Sequence, residues 1–560
     1  MQDNILANRT EGQTDWTSID WKDANRHVRN LRQRIFRATQ EGDWDKVQSL
    51  QRLMLRSRSN VVESVRKVTQ LNQGKNTPGI DKLLVKTPSE RGKLIDEMST
   101  YTPWRAIPVK RVYIPKANGK LRPLGIPTIK DRVMQAIVKN ALEPSWEARF
   151  EGTSYGFRPG RSCQDAIKQI WSIAKGKAKP WILDADISGC FDNINHEHLL
   201  DTIGTFPAQE LIRQWLKAGY VEYGHQHETP TGTPQGGVIS PLLANISLHG
   251  METALDIRYQ PTGARIGMCA VIRYADDFVV MCRTEEDAQY AQERLREWLA
   301  IRGLQLSPEK TSIRHLKQGF DFLGFNVRIY PTQKTRSGWK TLIKPSRKSV
   351  TKIRERLRNE WMSLRGHSVI SVLERLNPII RGWANYFRTQ VSRKTFEKLD
   401  HYMYQREVRY MQHMHPHKSH HWQHAKYLGK FNLYREDRWV FGDTNTQRYL
   451  HKFEWTGIRR HDMVTGTNSP DDPGLKTYWQ KRELAKIQDL PVKAQLLAKR
   501  QGGVCPICGK SLFIDENIEK HHIVPRQANG AETTDNKLLV HYLCHQQLTA
   551  HQRLTGILVY

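Results

Sequence analysis

Residues 271–281, with the sequence VIRYADDFVVM, constrain the fold more than any other part of the chain. Apolar runs on both sides of a polar break are typical of a β-hairpin, which would place Asp276 and Asp277 at its turn. Two adjacent carboxylates between apolar strands repel each other and lose solvation, so they need a nearby cation. Mg²⁺ suits such oxygen ligands, although aspartate is also simply a favoured turn residue.

A second segment, residues 181–192 with the sequence WILDADISGCFD, also has the character of a strand. Because side chains alternate along a strand, Asp184 and Asp186 lie on one face, and either could bring a third carboxylate to the hairpin. Three carboxylates from two segments can hold two metal ions that activate a 3′ hydroxyl and stabilise a leaving pyrophosphate. The pattern therefore predicts nucleotidyl transfer.

Seven sequence blocks follow one another along the middle of the chain. They are YIPKANGKLRPLGIPTIKDRVMQ from Tyr113, SYGFRPGRS from Ser154, DADISGCFDNI from Asp184, GTPQGGVISPLLANI from Gly232, RYADDFVV from Arg273, LSPEKT from Leu306 and FLGF from Phe322. In this order they resemble the reverse transcriptases encoded by bacterial group II introns, also called maturases. The resemblance implies that Asp186, Asp276 and Asp277 are the catalytic, Mg²⁺-binding carboxylates and that Asp184 is a supporting neighbour.

Contacts to the substrate are expected from the same blocks. Cations alternate with apolar residues around a turn at residues 117–119, which predicts a hairpin with one basic face suited to a triphosphate. By resemblance to polymerase fingers, Lys116 and Arg122 would contact the incoming dNTP. Phe191 matches the position that excludes a 2′ hydroxyl, Gln235 the position beside the nucleotide and templating base, and Lys310 is a further candidate contact.

The charge of the chain points to a polyanionic partner. Eighty-seven Lys and Arg residues against 57 Asp and Glu residues give a net charge of +30 over 560 residues, which favours nucleic acid. No apolar run is long enough for a membrane span and the first residues are polar, so we expect no membrane partner and a cytoplasmic, nucleoid-associated protein in a bacterium. Three of seven cysteines lie in the last 56 residues, which suggests a local metal site.

Three regions flank the polymerase blocks or follow them. Helical spacing over residues 45–65, followed by a loop at residues 72–81, predicts a helical N-terminal extension over residues 1–90; the resemblance implies that it binds RNA. Apolar spacing from Val350 to Leu364 and from Val372 to Phe387, with a third helix starting near Phe396, matches a three-helix thumb, the maturase domain X, over residues 340–435. A turn-rich stretch from Thr465 predicts a boundary within residues 436–500, where the family has a DNA-binding segment.

A histidine-rich stretch between His413 and His424 has no ordered metal-ligand spacing. We interpret it as a solvated segment facing RNA, with Trp422 available for stacking on bases.

The last sixty residues contain two sets of candidate metal ligands. Cys505 and Cys508, followed by His541 and Cys544, have the spacing of a structural zinc knuckle. The segment EKHHIVP and a later Cys-His resemble the HNH, or ββα-metal, nucleases. That resemblance implies His522 as general base, His521 and His545 as ligands of the nuclease ion, and Asn536 as a brace of the loop. His541 departs from the family's usual cysteine and could belong to the nuclease site, and a knuckle that only binds DNA is the alternative.

Together these features predict an α+β multidomain protein. Right-hand fingers and palm (residues 91–330) would follow the helical extension, and the thumb, the DNA-binding segment and an HNH zinc module (residues 501–560) would come after them. The expected function combines RNA-directed DNA polymerase, intron splicing maturase and DNA endonuclease in target-primed mobility. Partners would be intron RNA, target DNA, dNTPs and an RNA template with a DNA primer. The alternatives are a cellular or defence reverse transcriptase without an intron, and a splicing factor that binds RNA without polymerising.

Overall fold

The computed structural model describes residues 14–100, 104–115, 119, 121–176, 178–336, 338–432, 434–514 and 516–555. Lys116 and residues 117 and 118 of the expected hairpin turn lie outside this set. Within the described residues, every helix is too short or too polar to cross a membrane.

The N-terminal region is helical, with α1 (Trp21–Gln40), α2 (Trp44–Arg56), α3 (Arg58–Arg66) and α4 (Pro88–Ser99). The continuous helix suggested by residues 45–65 is in fact two helices, because Ser57 is extended and its hydroxyl caps α3 by accepting from the Asn60 N–H. A single cap residue leaves the apolar periodicity intact, so the periodicity could not show the break. The loop at residues 72–81 is held by Arg132, which donates to the carbonyls of Gly74 and Thr77 at 2.9 and 2.6 Å.

The middle of the chain alternates strands and helices. In order these are β1 (Val109–Pro115), β2 (Leu121–Ile126), α5 (Ile129–Glu147), α6 (Cys163–Gly176), β3 (Trp181–Asp186), α7 (Cys190–Asn193), α8 (His196–Ile203), α9 (Gln209–Lys217), β4 (Tyr220–Glu222), β5 (His225–His227), α10 (Ser240–Ser247), α11 (Met251–Ala254), β6 (Arg258–Tyr259), β7 (Arg265–Ile266), β8 (Ala270–Tyr274), β9 (Asp277–Cys282), α12 (Glu285–Ala300) and β10 (Ser312–His315). The strands β1 and β2 form the expected antiparallel hairpin, and β4 and β5 extend it into a sheet of order β2-β1-β4-β5.

The central sheet has the order β10-β3-β9-β8, with every neighbouring pair antiparallel. Alternate residues of β3 and β9 face opposite sides, and both sides are buried. Leu183 and Val280 belong to the core that includes α12, whereas Ile182 and Val279 belong to the core that includes α6 and the helices that follow. Burial on both faces explains the near-continuous apolar runs of the sequence, and it leaves the strand ends as the place for polar side chains.

After the central sheet come β11 (Phe320–Phe322), β12 (Phe325–Pro331), β13 (Trp339–Pro345), α13 (Arg347–Ser363), α14 (Val369–Phe387), α15 (Arg393–Met414), α16 (His420–Tyr427), β14 (Leu428–Gly429), β15 (Val440–Asp443) and β16 (Arg448–Tyr449). The three predicted helices are confirmed as α13, α14 and α15, with Ile353, Leu357 and Trp361 buried along α13. The histidine-rich stretch covers the end of α15 and the start of α16, where Trp422 packs against His415.

The remaining elements are α17 (Lys476–Lys486), α18 (Val492–Arg500), β17 (Ile518–His522), β18 (Lys537–His541) and α19 (Tyr542–Thr555), and the last three form a ββα unit. The turn-rich stretch from Thr465 is not an open boundary. Asp471 in it pairs with Arg32 of α1 at 2.6 Å, and the Gly466 carbonyl accepts from Arg161 at 2.7 Å. The turn residues therefore belong to a bent segment that is bound to the N-terminal and central regions.

Candidate functional site

The carboxylates expected to be catalytic meet at one end of the central sheet. Asp186 ends β3 and lies directly opposite Asp277, the first residue of β9. Tyr274 pairs with Asp277 and closes the hairpin, so its two-residue turn is Ala275-Asp276, displaced by one residue from the turn predicted at Asp276 and Asp277. Strand pairing thus brings Asp186, Asp276 and Asp277 from two distant segments to one edge.

The turn is constrained by its surroundings. Ala275 has a left-handed backbone, with φ of 60°, and a Cβ at Gly156 would lie 2.4 Å from its nitrogen. The buried guanidinium of Arg273 donates to the Ala275 carbonyl at 3.2 Å and to Asn245 Oδ1 at 3.0 Å. Sequence reasoning did not assign a role to Arg273 or Gly156, although both stand inside the quoted blocks. They hold the strained turn, and with it Asp276, in place.

The carboxylates need positive charge. Burial, a hydrogen bond with Asp186 and repulsion from Asp276 raise the pKa of Asp277 to about 7, and burial with repulsion from Asp186 raises that of Asp276. One cation is already present, since Lys310 Nζ lies 2.6 Å from Asp186 Oδ2. The clustered carboxylate oxygens thus attract an ammonium group. Because divalent cations prefer oxygen ligands of this kind, the site also fits divalent cations.

Asp184 faces the same side of β3, two residues from Asp186. Burial raises the pKa of its carboxyl to about 6, and repulsion from Asp321 and Asp186 adds to this effect, while Arg314 opposes it. It belongs to the surroundings of the carboxylate group.

Two of the expected nucleotide contacts are linked by hydrogen bonds. Arg122 on β2 donates from Nε to Gln235 Oε1 at 2.7 Å, and Gln235 Nε2 donates to the carboxylate of Asp192 at 3.2 Å. The Gln235 carbonyl accepts from the Gly125 N–H at 2.7 Å, so the loop that carries Gln235 is fixed to the hairpin. Asp192, which sequence reasoning left without a role, orients the amide between the two elements.

Phe191 lies in the short helix α7 and is 7% exposed. Its ring meets the edge of Phe157 with centroids 6.3 Å apart, and its carbonyl accepts from the Thr233 N–H at 2.6 Å. Phe191 is therefore held in place both at its ring and at its backbone carbonyl.

In the ββα region, Cys505, Cys508, His541 and Cys544 are buried with their ligand atoms within 4.8 Å of one another. His541 Nδ1 lies 3.3 Å from Cys508 Sγ, so the structure groups this histidine with the thiols. A divalent ion with three thiolates would carry a net negative charge, and Arg66 of α3 places Nη2 3.2 Å from Cys544 Sγ. The donor set and its balancing cation fit a closed metal centre.

The residues around this cluster belong partly to the N-terminal helices. Asn25 of α1 donates to the Cys508 carbonyl at 2.7 Å, and Arg66 lies over the Trp21 ring at 4.4 Å. One apolar core joins α1, α3 and α5 to Cys505, Cys508 and Cys544. Local spacing could not reveal Asn25 or Arg66, because these residues lie more than 470 positions away.

The histidines expected to form the nuclease site lie on both sides of β17. His521 is buried and its ring lies 5.0 Å from that of His545 on α19, while His522 Nε2 lies 3.3 Å from Glu532. Glu519, two residues before His521 on the same face, lies 2.6 Å from His545 Nδ1. Sequence reasoning passed over Glu519, although the alternation of the strand places it beside His521.

Asn536 acts as a brace of the loop between β17 and β18. Its side chain accepts from the Val524 N–H at 2.7 Å and donates to the carbonyls of Val524 and Ala531 at 3.0 and 2.8 Å. These three bonds use both ends of the amide and fix the course of the chain after His522.

Four family models match the chain in sequence. They are the N-terminal domain of reverse transcriptase (residues 16–98), reverse transcriptase (RNA-dependent DNA polymerase) (114–327), the group II intron, maturase-specific domain (350–428) and HNH endonuclease (505–551). Reverse transcriptase and HNH families use metal ions, and reverse transcriptase and maturase domains bind RNA and DNA.

Among curated proteins, Protein YkfC of Escherichia coli (strain K12) is 35% identical over 302 residues, which cover 47% of this chain and 78% of YkfC. The group II intron-encoded protein LtrA of Lactococcus lactis subsp. cremoris is 35% identical over 323 residues, covering 46% of this chain and 53% of LtrA. The chain thus spans about half the length of LtrA.

Among solved structures, a telomerase from Candida albicans matches with a TM-score of 0.32 and 15% identity, covering 55% of this chain and 59% of that one; this likeness is too low to carry an argument. The four domain matches and the two relatives agree with the carboxylate group and the ββα unit described above. The chain belongs to the group II intron-encoded reverse transcriptases and carries a maturase domain and an HNH endonuclease domain.

Proposed function

We propose that this chain is the protein of a mobile group II intron, which copies intron RNA into DNA at a target site, stabilises the folded intron RNA for splicing, and cuts one target strand to provide the primer. The observation that carries the proposal is the convergence of Asp186, Asp276 and Asp277 at the edge of the central sheet in a chain that also contains a ββα unit with clustered histidines.

In the polymerase site, Asp186, Asp276 and Asp277 would hold Mg²⁺. When bound, such ions lower the pKa of an attacking 3′ hydroxyl and take up charge on a leaving pyrophosphate. The side chains of the protein do the positioning, because Arg273 fixes the turn that carries Asp276 and strand pairing fixes Asp186 against Asp277. Lys310 neutralises part of the carboxylate charge. When a nucleotide binds, Lys310 would leave Asp186 and contact the nucleotide phosphates.

The incoming dNTP would lie between the hairpin β1–β2 and the central sheet. Lys116 and Arg122 would contact its triphosphate, while Gln235 would lie beside the base and Phe191 against the sugar. The hydrogen bonds from Arg122 to Gln235 and from Gln235 to Asp192 support this arrangement, since they bring the hairpin and the α7 region together before substrate arrives. Preorganised contacts of this kind lower the entropic cost of alignment.

In the nuclease site, His522 would act as general base towards an attacking water. His521 and His545 would hold the divalent ion of that site, with Glu519 orienting His545 and Asn536 bracing the loop. The cluster Cys505, Cys508, His541 and Cys544 would hold a structural Zn²⁺.

We propose that these roles are divided among the regions predicted from the sequence. The N-terminal extension (1–90) and the thumb (340–435) would bind intron RNA, the fingers and palm (91–330) would polymerise, residues 436–500 would bind target DNA, and residues 501–560 would cleave it. The exposed cations of α13 support the assignment of the thumb to RNA.

The test uses the purified protein with three substrates: a primed RNA template, an intact labelled DNA duplex, and the intron RNA. Asp276→Ala should abolish primer extension and leave nicking and RNA affinity nearly unchanged. His522→Ala should abolish nicking and leave primer extension unchanged. Asp201→Asn, an exposed carboxylate change on α8, is the matched control and should affect neither activity. Undiminished synthesis by Asp276→Ala would refute the polymerase assignment, and undiminished nicking by His522→Ala would reduce the tail to a DNA-binding unit.

A further inference from the structure

A pocket of about 420 Å³ lies between α15 and the segment that carries β15 and β16. Asp400, Tyr404 and Glu407 line it from the helix, and Trp439, His451 and Lys452 line it from the opposite side. Trp439 is 56% exposed, so an aromatic surface borders the opening. A cavity of this size with aromatic walls and a few polar groups is of the kind that binds small planar molecules.

Glu407 is the unusual member of this pocket. It is 7% exposed, and it makes no hydrogen bond or ion pair with any residue in the described part of the chain. Burial raises the pKa of its carboxyl to about 8. Asp400, two turns earlier on the same face of α15, differs because its two oxygens accept from the Phe453 and Glu454 N–H groups at 2.7 and 2.8 Å. A buried carboxylate without donors is costly, so the Glu407 side chain indicates a partner that supplies them.

The pocket also contains one cation. Lys452 lines it, with Nζ 3.3 Å from Asp437. His451 is neutral, because burial lowers its pKa to about 4. A neutral, flat molecule with two adjacent N–H donors would bind both oxygens of Glu407, favour the ionised carboxylate and so lower its raised pKa, and it would leave Lys452 for a phosphate. Among nucleobases, guanine offers this pair of donors at N1 and N2, whereas the Watson–Crick edges of adenine, cytosine and uracil do not.

We propose that this pocket binds one unpaired guanine base of an RNA, with both oxygens of Glu407 accepting from its N1–H and N2–H groups and with Trp439 and Tyr404 providing the aromatic contact. The inference rests on the proposed RNA-binding role of the thumb and adds a base-specific contact to it. Reading a single unstacked base in this way is a general mode of RNA recognition, in which aromatic stacking adds affinity and the base edge adds specificity.

The test compares RNA duplexes that are identical except for one bulged nucleotide. Full-length protein is titrated with duplexes carrying a bulged guanosine, inosine or adenosine, or no bulge. Inosine lacks the N2 amine and therefore one of the two donors. The guanosine duplex should bind about tenfold tighter than the inosine and adenosine duplexes, in line with the discrimination of a two-bond base contact.

Two variants show whether Glu407 carries the preference. Glu407→Gln keeps the shape of the side chain but replaces one acceptor by a donor, so it should remove the guanosine preference and leave binding to the duplex without a bulge unchanged. Glu397→Gln, on the exposed side of the same helix beside Arg393, is the matched control and should keep the preference. Primer extension by Glu407→Gln at the wild-type rate verifies that the variant is folded.

Equal affinity for all bulged duplexes, or a guanosine preference that survives in Glu407→Gln, would overturn the pocket while leaving general RNA binding intact. Failure to bind any of the duplexes would contradict the proposed RNA-binding function as well.

Discussion

We propose that the ring of Phe191 selects the sugar of the incoming nucleotide. The ring is buried against Phe157, and the Thr233 N–H holds the backbone carbonyl of Phe191, so the ring has little room to move aside for an additional hydroxyl. Phe191→Val should therefore raise incorporation of ribonucleotides relative to deoxyribonucleotides by at least about tenfold, which corresponds to roughly 1.4 kcal/mol of lost discrimination. Single-nucleotide extension with a dNTP and the matching rNTP measures the ratio, and the dNTP rate is its internal control. A ratio equal to that of the wild type would mean that another residue excludes the 2′ hydroxyl.

Glu407 also predicts how stability depends on pH. Its folded-state pKa of about 8 lies above the ordinary value of a glutamate, so the folded state holds the proton more tightly than the unfolded state. The corresponding stability is complete below about pH 4.3 and is lost as pH rises through about 8. Glu407→Gln does not titrate. Its free energy of unfolding should therefore fall less than that of the wild type when the pH is raised from 6 to 8.5. Denaturant unfolding of both proteins across this range measures the difference, and parallel pH profiles would contradict the assignment.

The residue scale also shows which parts of the site a sequence can predict. Asp186, Asp276 and Asp277 stand in recognisable motifs, but strand alternation allowed either Asp184 or Asp186 as the third carboxylate, and the family resemblance selected Asp186. Asp192 and Glu519 were passed over because their roles arise from partners on other elements, Gln235 and His545. Only the spatial arrangement reveals such pairs.

At the scale of single elements, α13 should contact RNA through its exposed basic face. Lys352 and Arg356 lie one turn apart and are exposed, whereas Arg354 packs over the Tyr402 ring at 4.6 Å and is a poorer choice for a surface change. Lys352→Ala with Arg356→Ala should lower the dependence of log affinity on log salt by roughly 1.4 to 1.8, because each lost phosphate contact contributes about 0.7 to 0.9.

Affinity for intron RNA measured at several salt concentrations gives this slope. Arg296→Ala on α12 removes an exposed cation outside the thumb and should leave the slope unchanged. If the double variant also leaves it unchanged, this face of α13 does not contact RNA.

The strand β17 directs its two neighbouring histidines to different partners. Glu519 and His521 share the face towards His545, while His522 lies beside Glu532. Glu519→Gln should weaken binding of the nuclease ion by roughly 10- to 100-fold, since partners that orient a ligating histidine have effects of this size. Nicking titrated with Mg²⁺ should require more metal in this variant but reach a similar maximal rate. A reduced maximal rate at an unchanged metal requirement would show that Glu519 takes part in the chemistry instead.

The elements themselves were predictable to different degrees. Helices α13 and α14 have long amphipathic patterns and were predicted close to their observed bounds, and the start of α15 was predicted, whereas α1 has no identifying motif and was not singled out. The break at Ser57 depends on one cap residue, and the attachment of the turn-rich segment around Asp471 depends on an ion pair with Arg32. Periodicity reports which residues face a core, but it does not report which distant element forms that core.

For the whole molecule, the ββα unit is joined to the N-terminal helices by a shared apolar core and by the contacts of Asn25 and Arg66. The sequence suggested a separate terminal module. Cys508→Ser should therefore release zinc and also loosen α1 and α3, because both sides of this core lose their packing.

Zinc content and hydrogen exchange of residues 21–40 measure the two effects. Cys163→Ser, at a thiol outside the cluster, should retain both zinc and protection. Unchanged exchange of α1 in Cys508→Ser would show that the unit is independent after all. The central sheet, whose cores do not include the cluster, should stay protected in both variants.

The contact between Arg66 and Cys544 joins residues 478 positions apart, and this separation has a consequence for synthesis on the ribosome. At roughly 5 to 20 residues per second, about 25 to 100 seconds pass between the appearance of Arg66 and that of its partner. During this interval the N-terminal helices lack the residues of the ββα region that complete their apolar core. Trp21 and Val65, both buried in the finished protein, then lack part of their cover. The N-terminal helices therefore reach their final packing only after the segment that contains Cys544 has been translated.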